Sequence, residues 1–108
     1  MEIEKLKRAA EFLGLEIDER FAGVINRGLF KRYTDEQFNP HEETGRHWLV
    51  EMMRKLIGWG SKWNAFQYEI LKEYNKEPNP FRKHLSFPHW LVTAPSELCF
   101  EKIMEVIN

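Results

Sequence analysis

The chain has 108 residues, 43% of them apolar, 31% charged and 14% aromatic, with a formal net charge of −1. That is the length of one domain, and four tryptophans and eight phenylalanines can fill a single core, which excludes wholesale disorder. The near-neutral, interspersed charge gives no support for broad attraction to nucleic acid or to an anionic membrane, and the lone Cys99 cannot form an internal disulfide.

Residues 2–13 read as a first helix, with Ile3, Leu6, Ala10 and Leu13 in one stripe and Gly14 as the stop. Residues 15–38 are weakly patterned. Leu15 and Ile17 alternate with charges, as in a brief strand or an extended exit from the helix. Phe21, Val24 and Ile25 then precede the turn residues Asn26-Arg27-Gly28, with Leu29, Phe30 and Tyr33 beyond. A short hairpin and a packed loop both fit this stretch.

The clearest element is a helix over residues 40–57. Trp48, Leu49, Met52, Met53, Leu56 and Ile57 form one broad apolar stripe. Asn39 is the expected N-cap, Pro40 suits the first helical position, and Glu42 stands where it can reach back to the cap. Gly58 is the expected left-handed stop. After a turn at Trp59-Gly60-Ser61, residues 63–74 admit two readings. Phe66, Tyr68 and Ile70 alternate with Gln67 and Glu69 as in a half-buried strand, whereas Trp63, Phe66, Ile70 and Tyr74 share a helical stripe. The aromatic and β-branched residues after a glycine turn favour a strand over 63–72.

Glu77-Pro78-Asn79-Pro80 interrupts regular structure, and a second strand is expected within Phe81 to Thr93, placed at an edge or broken with a bulge by Pro88. A last helix spans 95–107, burying Leu98, Cys99, Ile103, Val106 and Ile107. The expectation is therefore one domain over residues 1–108 of α+β class, with three helices packed on a small antiparallel sheet.

Short segments of this layout resemble the phage ABA sandwich family, small phage or prophage domains of helix–sheet–helix layers. They are Ala10-Glu11-Phe12-Leu13-Gly14, then Tyr33-Thr34 leading to Phe38-Asn39-Pro40 and the helix with Trp48, Val50, Glu51 and Met52. The last is the junction Thr93-Ala94-Pro95-Ser96-Glu97-Leu98-Cys99. The resemblance implies a phage or prophage origin and the α+β fold. It carries over no activity and no site residues.

No chemical motif stands out. His41 and His47 are six apart and face different directions on a helix; Glu43 and His47 are i,i+4 neighbours without an identifiable third ligand. His84 and His89 point to opposite faces of the expected strand. Cys99 lies on an apolar helix face, as a small inert hydrophobe does, and Ser61, Ser86 and Ser96 lack the context of a catalytic triad. Gly58-Trp59-Gly60 matches no phosphate-binding loop. The expectation is a non-enzymatic protein, without cofactor or metal, of cytoplasmic location.

The unusual feature is aromatic density. Trp59, Trp63, Phe66, Tyr68, Tyr74, Phe81, Phe87 and Trp90 crowd one third of the chain. Most can serve as core, but some can form an exposed patch for a partner protein or for self-association. Trp59, Trp63, Phe81 and Trp90 are the candidate partner-binding residues, with Trp59 and Phe81 expected to be the most exposed. The competing reading is a weak single-strand nucleic-acid binder, from Lys31-Arg32 beside Phe30 and Tyr33 and from Arg82-Lys83-His84 beside Phe81 and Phe87. A small enzyme is the third and least supported reading.

Overall fold

A computed structural model describes residues 3–18, 23–26, 31–34 and 36–107. The first helix, α1 (Ile3–Phe12), ends at Gly14, whose φ is +76°. The weakly patterned stretch then holds the sheet: β1 (Glu16–Asp18), β2 (Gly23–Asn26) and β3 (Lys31–Thr34), antiparallel in the order β1-β2-β3. Ile17 pairs with Val24 and Val24 with Tyr33, and this row packs toward the core. The expected turn at Asn26-Arg27-Gly28 and the apolar Phe21, Leu29 and Phe30 lie wholly or partly outside the described residues.

The α+β class and the small antiparallel sheet are observed, but the helices and strands are distributed differently from the expectation. Among the described residues there are six α-helices rather than three. After a 3-10 turn (Glu43–Gly45) come α2 (Arg46–Gly58), α3 (Ser61–Asn75), α4 (Pro80–Lys83), α5 (Phe87–Thr93) and α6 (Ser96–Ile107). Residues 63–72 form the middle of α3, not a strand. The period of 3.6 wins because it buries Phe66 and Ile70 completely while leaving Tyr68 63% exposed, whereas a strand would have put all three on one face. Lys62, Ala65, Gln67, Glu69, Leu71 and Lys72 are also good helix formers.

The strand expected within Phe81 to Thr93 is likewise replaced by two short helices. Its prolines start helices instead of interrupting a strand. Pro80 sits in the first turn of α4, where the Asn79 side chain accepts from the Phe81 N–H at 2.9 Å, and Pro88 sits in the first turn of α5. A proline there loses no helical hydrogen bond, because the first N–H groups have no partner within the helix.

The central helix begins later than its caps suggest. Asn39 is buried and does not cap α2; its amide nitrogen donates to Glu42 Oε2 at 3.0 Å and Thr44 Oγ1 at 2.8 Å. The backbone of Gly45 packs so closely on Asn39 that any Cβ at position 45 would overlap the Asn39 carbonyl. Gly58 lies inside α2, and the break before α3 falls at Gly60, whose φ of +51° favours glycine.

The core is made by helices lying on one another: α3 against α6, α2 against both, and α5 against α3. Met52, Leu56, Phe66, Ile70, Phe100 and Ile103 are fully buried at these contacts. The sheet joins this core through α1 and through the Trp48 ring of α2. Tyr33 and Phe38 pack edge-on to that ring at centroid distances of 4.9 and 4.8 Å, and its indole N–H donates to the Gln37 carbonyl at 2.8 Å. Trp48 is 8% exposed. Trp48→Ala removes the surface that joins sheet to helices and costs about 3–5 kcal/mol. Against a total stability of about 5–15 kcal/mol, the variant melts far below the parent or fails to fold; a melting curve within a degree or two of the parent overturns this.

Candidate functional site

Two clusters of polar side chains stand at the helix junctions, and each is occupied by structural bonding. The first joins the start of α2 to the junction of α5 and α6. Arg46 Nη1 donates to the Ala94 carbonyl at 2.6 Å and to Ser96 Oγ at 3.1 Å, and Nη2 donates to the Leu91 carbonyl at 3.0 Å. The guanidinium thereby serves the carbonyls at the C-terminal end of α5, where a cation is favoured. Glu43 serves the opposite kind of helix end, its Oε1 accepting from the Ser96 N–H at 2.8 Å in the first turn of α6. Glu43 and Arg46 also pair at 3.4 Å.

This geometry separates the candidate metal pair. Glu43 turns its carboxylate to α6, while the His47 ring lies 4.9 Å from the Trp48 ring. His41 packs toward Phe100, His84 is exposed, and His89 Nδ1 lies 2.7 Å from Ser86 Oγ. Because residues 84 and 89 flank the start of α5, they are not on opposite faces of a strand as expected. Among the described residues no group of three or more His, Cys, Asp or Glu is placed to hold a metal ion.

Cys99 is fully buried one turn into α6. Burial pushes its thiol up from the ordinary value, and the nearby Arg46 charge only partly opposes this. A thiol held protonated in a closed core is a poor nucleophile.

The second cluster surrounds Trp90, which is 1% exposed and therefore a core residue. Its indole N–H donates to Glu77 Oε2 at 2.8 Å, Arg82 lies over its ring at 5.5 Å, and Arg82 pairs with Glu77 at 3.4 Å. Tyr74 meets the same ring edge-on at 5.4 Å and donates its hydroxyl to the Leu85 carbonyl at 2.6 Å. Arg82, in the basic run Arg82-Lys83-His84, is thus committed to holding the fold.

The four aromatic candidates consequently part company. Trp63 is half-buried, its ring 5.5 Å from Phe66. Trp59 is 50% exposed and Phe81 is 86% exposed. Trp59 stands just before α3 and Phe81 just after it, at opposite ends of a helix about 22 Å long. The two do not adjoin.

Trp59 has neighbours that the sequence did not single out. Its ring meets Phe12 of α1 edge-on at 5.4 Å, and Lys55 lies over the Phe12 ring at 5.4 Å. Phe12 also walls an open cleft of about 490 Å³ between α1 and α6, lined with Arg8, Glu11 and Ile107. Beside it, Lys62 reaches the Val106 carbonyl at 2.9 Å. A half-exposed tryptophan against Phe12, which itself lines a cleft of two apolar and two charged residues, can seat an apolar anchor from another molecule. No local signal marked this place, because Phe12, Trp59 and Ile107 come from three distant parts of the chain.

Compared with models of protein families, with curated proteins and with solved structures, the chain matches none. None of the described helices is long and apolar enough to cross a membrane.

Buried Cys99 and the hydrogen-bonded carboxylates of Glu43 and Glu77 each have a measurable consequence. Cys99 is expected to label slowly with a thiol reagent in the native state and rapidly once unfolded; rapid native labelling would show an open path to the sulfur. The Ser96 amide hydrogen bond holds the Glu43 carboxyl below its ordinary value of 4.5, and the Trp90 indole hydrogen bond does the same for Glu77. Both carboxylates therefore contribute stability that is present above that ordinary value and is lost as pH falls through the lower folded-state values. Glu43→Gln is expected to reduce stability at neutral pH and to flatten its loss in acid, read by denaturant titration across a pH series. An unchanged acid slope would show that Glu43 does not titrate with folding.

Proposed function

We propose that this protein is a cytoplasmic, non-enzymatic accessory protein of phage or prophage type that acts by binding a partner protein through the corner built from Trp59 and Phe12. The observation that carries this reading is the half-exposed Trp59 held edge-on to Phe12 beside the α1–α6 cleft. Tryptophan in such a position is the side chain most often responsible for binding energy, because it covers a large area with few rotatable bonds. Glu11 in the cleft lining and Lys55 over the Phe12 ring bring both signs of charge to this corner for orienting a partner. The phage-like segments Ala10–Gly14 and Thr93–Cys99 support the assignment of type, and Phe12 falls within the first of them.

The bonding of Glu43, Arg46, Ser96, Glu77 and Arg82 supports the non-enzymatic part of the reading. Each of these polar groups is engaged by a helix end or by a buried indole. The nucleic-acid reading loses ground for the same reason, since Arg82 is tied to Glu77 and Trp90.

The test is capture of partners from the native host with the wild-type chain and with Trp59→Glu. Position 59 is a half-exposed surface site, so the variant is expected to fold, with an unchanged circular dichroism spectrum. A partner recovered with the wild type should be lost with Trp59→Glu and kept with Tyr68→Glu, which alters an exposed aromatic on the outer face of α3. Equal recovery by the wild type and Trp59→Glu would overturn the reading.

A further inference from the structure

Phe81 is 86% exposed, the most exposed of the large apolar side chains among the described residues, yet the turn that carries it is firmly held. Pro80 fixes the backbone ahead of the ring. The Asn79 side chain accepts from the Phe81 N–H at 2.9 Å, and the Asn79 carbonyl accepts from the Lys83 N–H at 2.9 Å. Glu77 ties this turn to the core: its Oε1 accepts from the Asn79 N–H at 3.2 Å and its Oε2 from the buried Trp90 indole at 2.8 Å. A ring presented this way is ready for a pocket, because its backbone loses little further freedom on binding.

The cleft between α1 and α6 is a concave counterpart of about 490 Å³, lined by the apolar Phe12 and Ile107 and the charged Arg8 and Glu11. Arg8 is already engaged within the chain, and Lys55 lies over the Phe12 ring. Glu11 is exposed, and its side chain makes no hydrogen bond or ion pair among the described residues. Beside Phe81 the available charge has the other sign. Glu77 is taken by Asn79, Trp90 and Arg82, whereas Lys83 is exposed and its ammonium has no partner among the described residues. Ring and cleft cannot meet within one molecule, since they stand at opposite ends of α3, about 22 Å apart.

We propose that Phe81 of one molecule seats against Phe12 and Ile107 in the α1–α6 cleft of a second copy, with Lys83 set beside Glu11 of that copy. This names the partner of the Trp59–Phe12 corner and rests on the reading of that corner as a contact surface. The contact is heterologous, because each molecule gives its ring at one end and its cleft at the other, and it repeats head to tail instead of closing into a two-fold dimer. One ring in one cleft is a small interface, so the association is weak and concentration-dependent. The exposed Lys83–Glu11 attraction makes it weaker still as salt is added.

The experiment is complementation between two variants of the full chain, read by sedimentation over a concentration series. Phe81→Ala keeps the cleft and removes the ring; Ile107→Lys keeps the ring and places a cation in the cleft. Wild type is expected to show a sedimentation coefficient that rises with concentration and falls back as salt is added. Each variant alone is expected to stay monomeric, whereas their equal mixture forms a dimer and nothing larger, because one intact cleft meets one intact ring. Circular dichroism establishes that each variant is folded, and Glu11→Lys, at an exposed position, replaces Ile107→Lys if that chain is not. A second reading uses a peptide of residues 77–84 as the probe. Added to Phe81→Ala, it is expected to shift the NMR signals of Phe12, Trp59 and Ile107 and to leave those of Tyr68 in place. A wild-type chain that stays monomeric throughout overturns the proposal. So do single variants that associate as the wild type does, a mixture that stays monomeric, or a peptide that moves none of the cleft signals. If the wild type is monomeric while Trp59→Glu still loses a captured host protein, this proposal fails and the corner reading stands. If Trp59→Glu changes neither capture nor self-association, the corner reading fails and takes this proposal with it.

Discussion

The fork made by Arg46 and Glu43 is the constraint on which the arrangement of the other helices depends. The sharp passage from α5 to α6 leaves carbonyls of one helix and amides of the next without helical partners, close together and partly buried. A cation is needed for the first set and an anion for the second. Arg46 and Glu43, three residues apart at the start of α2, supply both from a single turn of chain. Hydrogen bonds in which one partner is charged are stronger than neutral ones, and backbone groups left unmet inside a protein are costly. The same fork sets the start of α2, since the 3-10 turn at Glu43–Gly45 brings both side chains to the junction. With α2 and α6 fixed, α3 is left to fill the space against both.

A second tie, around Trp90, gives the chain between α3 and α6 its form. Residues 76–86 have little apolar content, and a segment of that kind stays folded only where its ends are anchored. Trp90 provides the anchor from α5, binding Glu77 through its N–H, Arg82 across its face and Tyr74 along its edge. Phe87 adds a ring 6.3 Å away, stacked on the same indole. The cluster satisfies a carboxylate whose side chain is only 7% exposed, because the indole N–H and the guanidinium both point at it. Aromatic density in this third of the chain is therefore mostly structural, and what reaches the surface does so at separate places.

Those places differ in character. Phe81 projects from a four-residue helix at 86% exposure, while Trp59 is half-covered and backed by Phe12. Backing matters for recognition, because a ring already held in place loses less conformational freedom when a partner covers it. The cleft between α1 and α6 adds concavity next to that ring. Together they make the Trp59 corner a better-formed contact surface than the isolated Phe81.

The sequence by itself determined part of the centre of this protein, although Ile57, in the apolar stripe of the central helix, is 55% exposed and Trp90, a candidate contact residue, is buried. The spacing of Trp48, Met52 and Leu56 named the buried face of α2, and that of Ile103 and Val106 named the buried face of α6. Cys99 was legible as a core residue for the same reason, and the partial exposure of Trp59 and Phe81 followed from their place beside glycines and prolines. The extent of the helices was not legible, because local pattern is ambiguous wherever a few aromatics satisfy both periods. Phe66, Tyr68 and Ile70 alternate like a strand, and only the presence of α6 and α2 on one side decided that Phe66 and Ile70 would be buried and Tyr68 would not. Pro80 and Pro88 read as breaks for a similar reason: a proline in a first turn and a proline in a loop look alike until the cap at Asn79 and the packing of Trp90 are in place. The sheet was hidden because its strands are three or four residues long, too short for alternation to register. The candidate surface and the Arg46–Glu43 fork lay furthest from reach. They join Phe12 to Trp59 and Ile107, and Glu43 to Ser96, across tens of residues, and such pairings are set only when hydrophobic burial has brought the helices together.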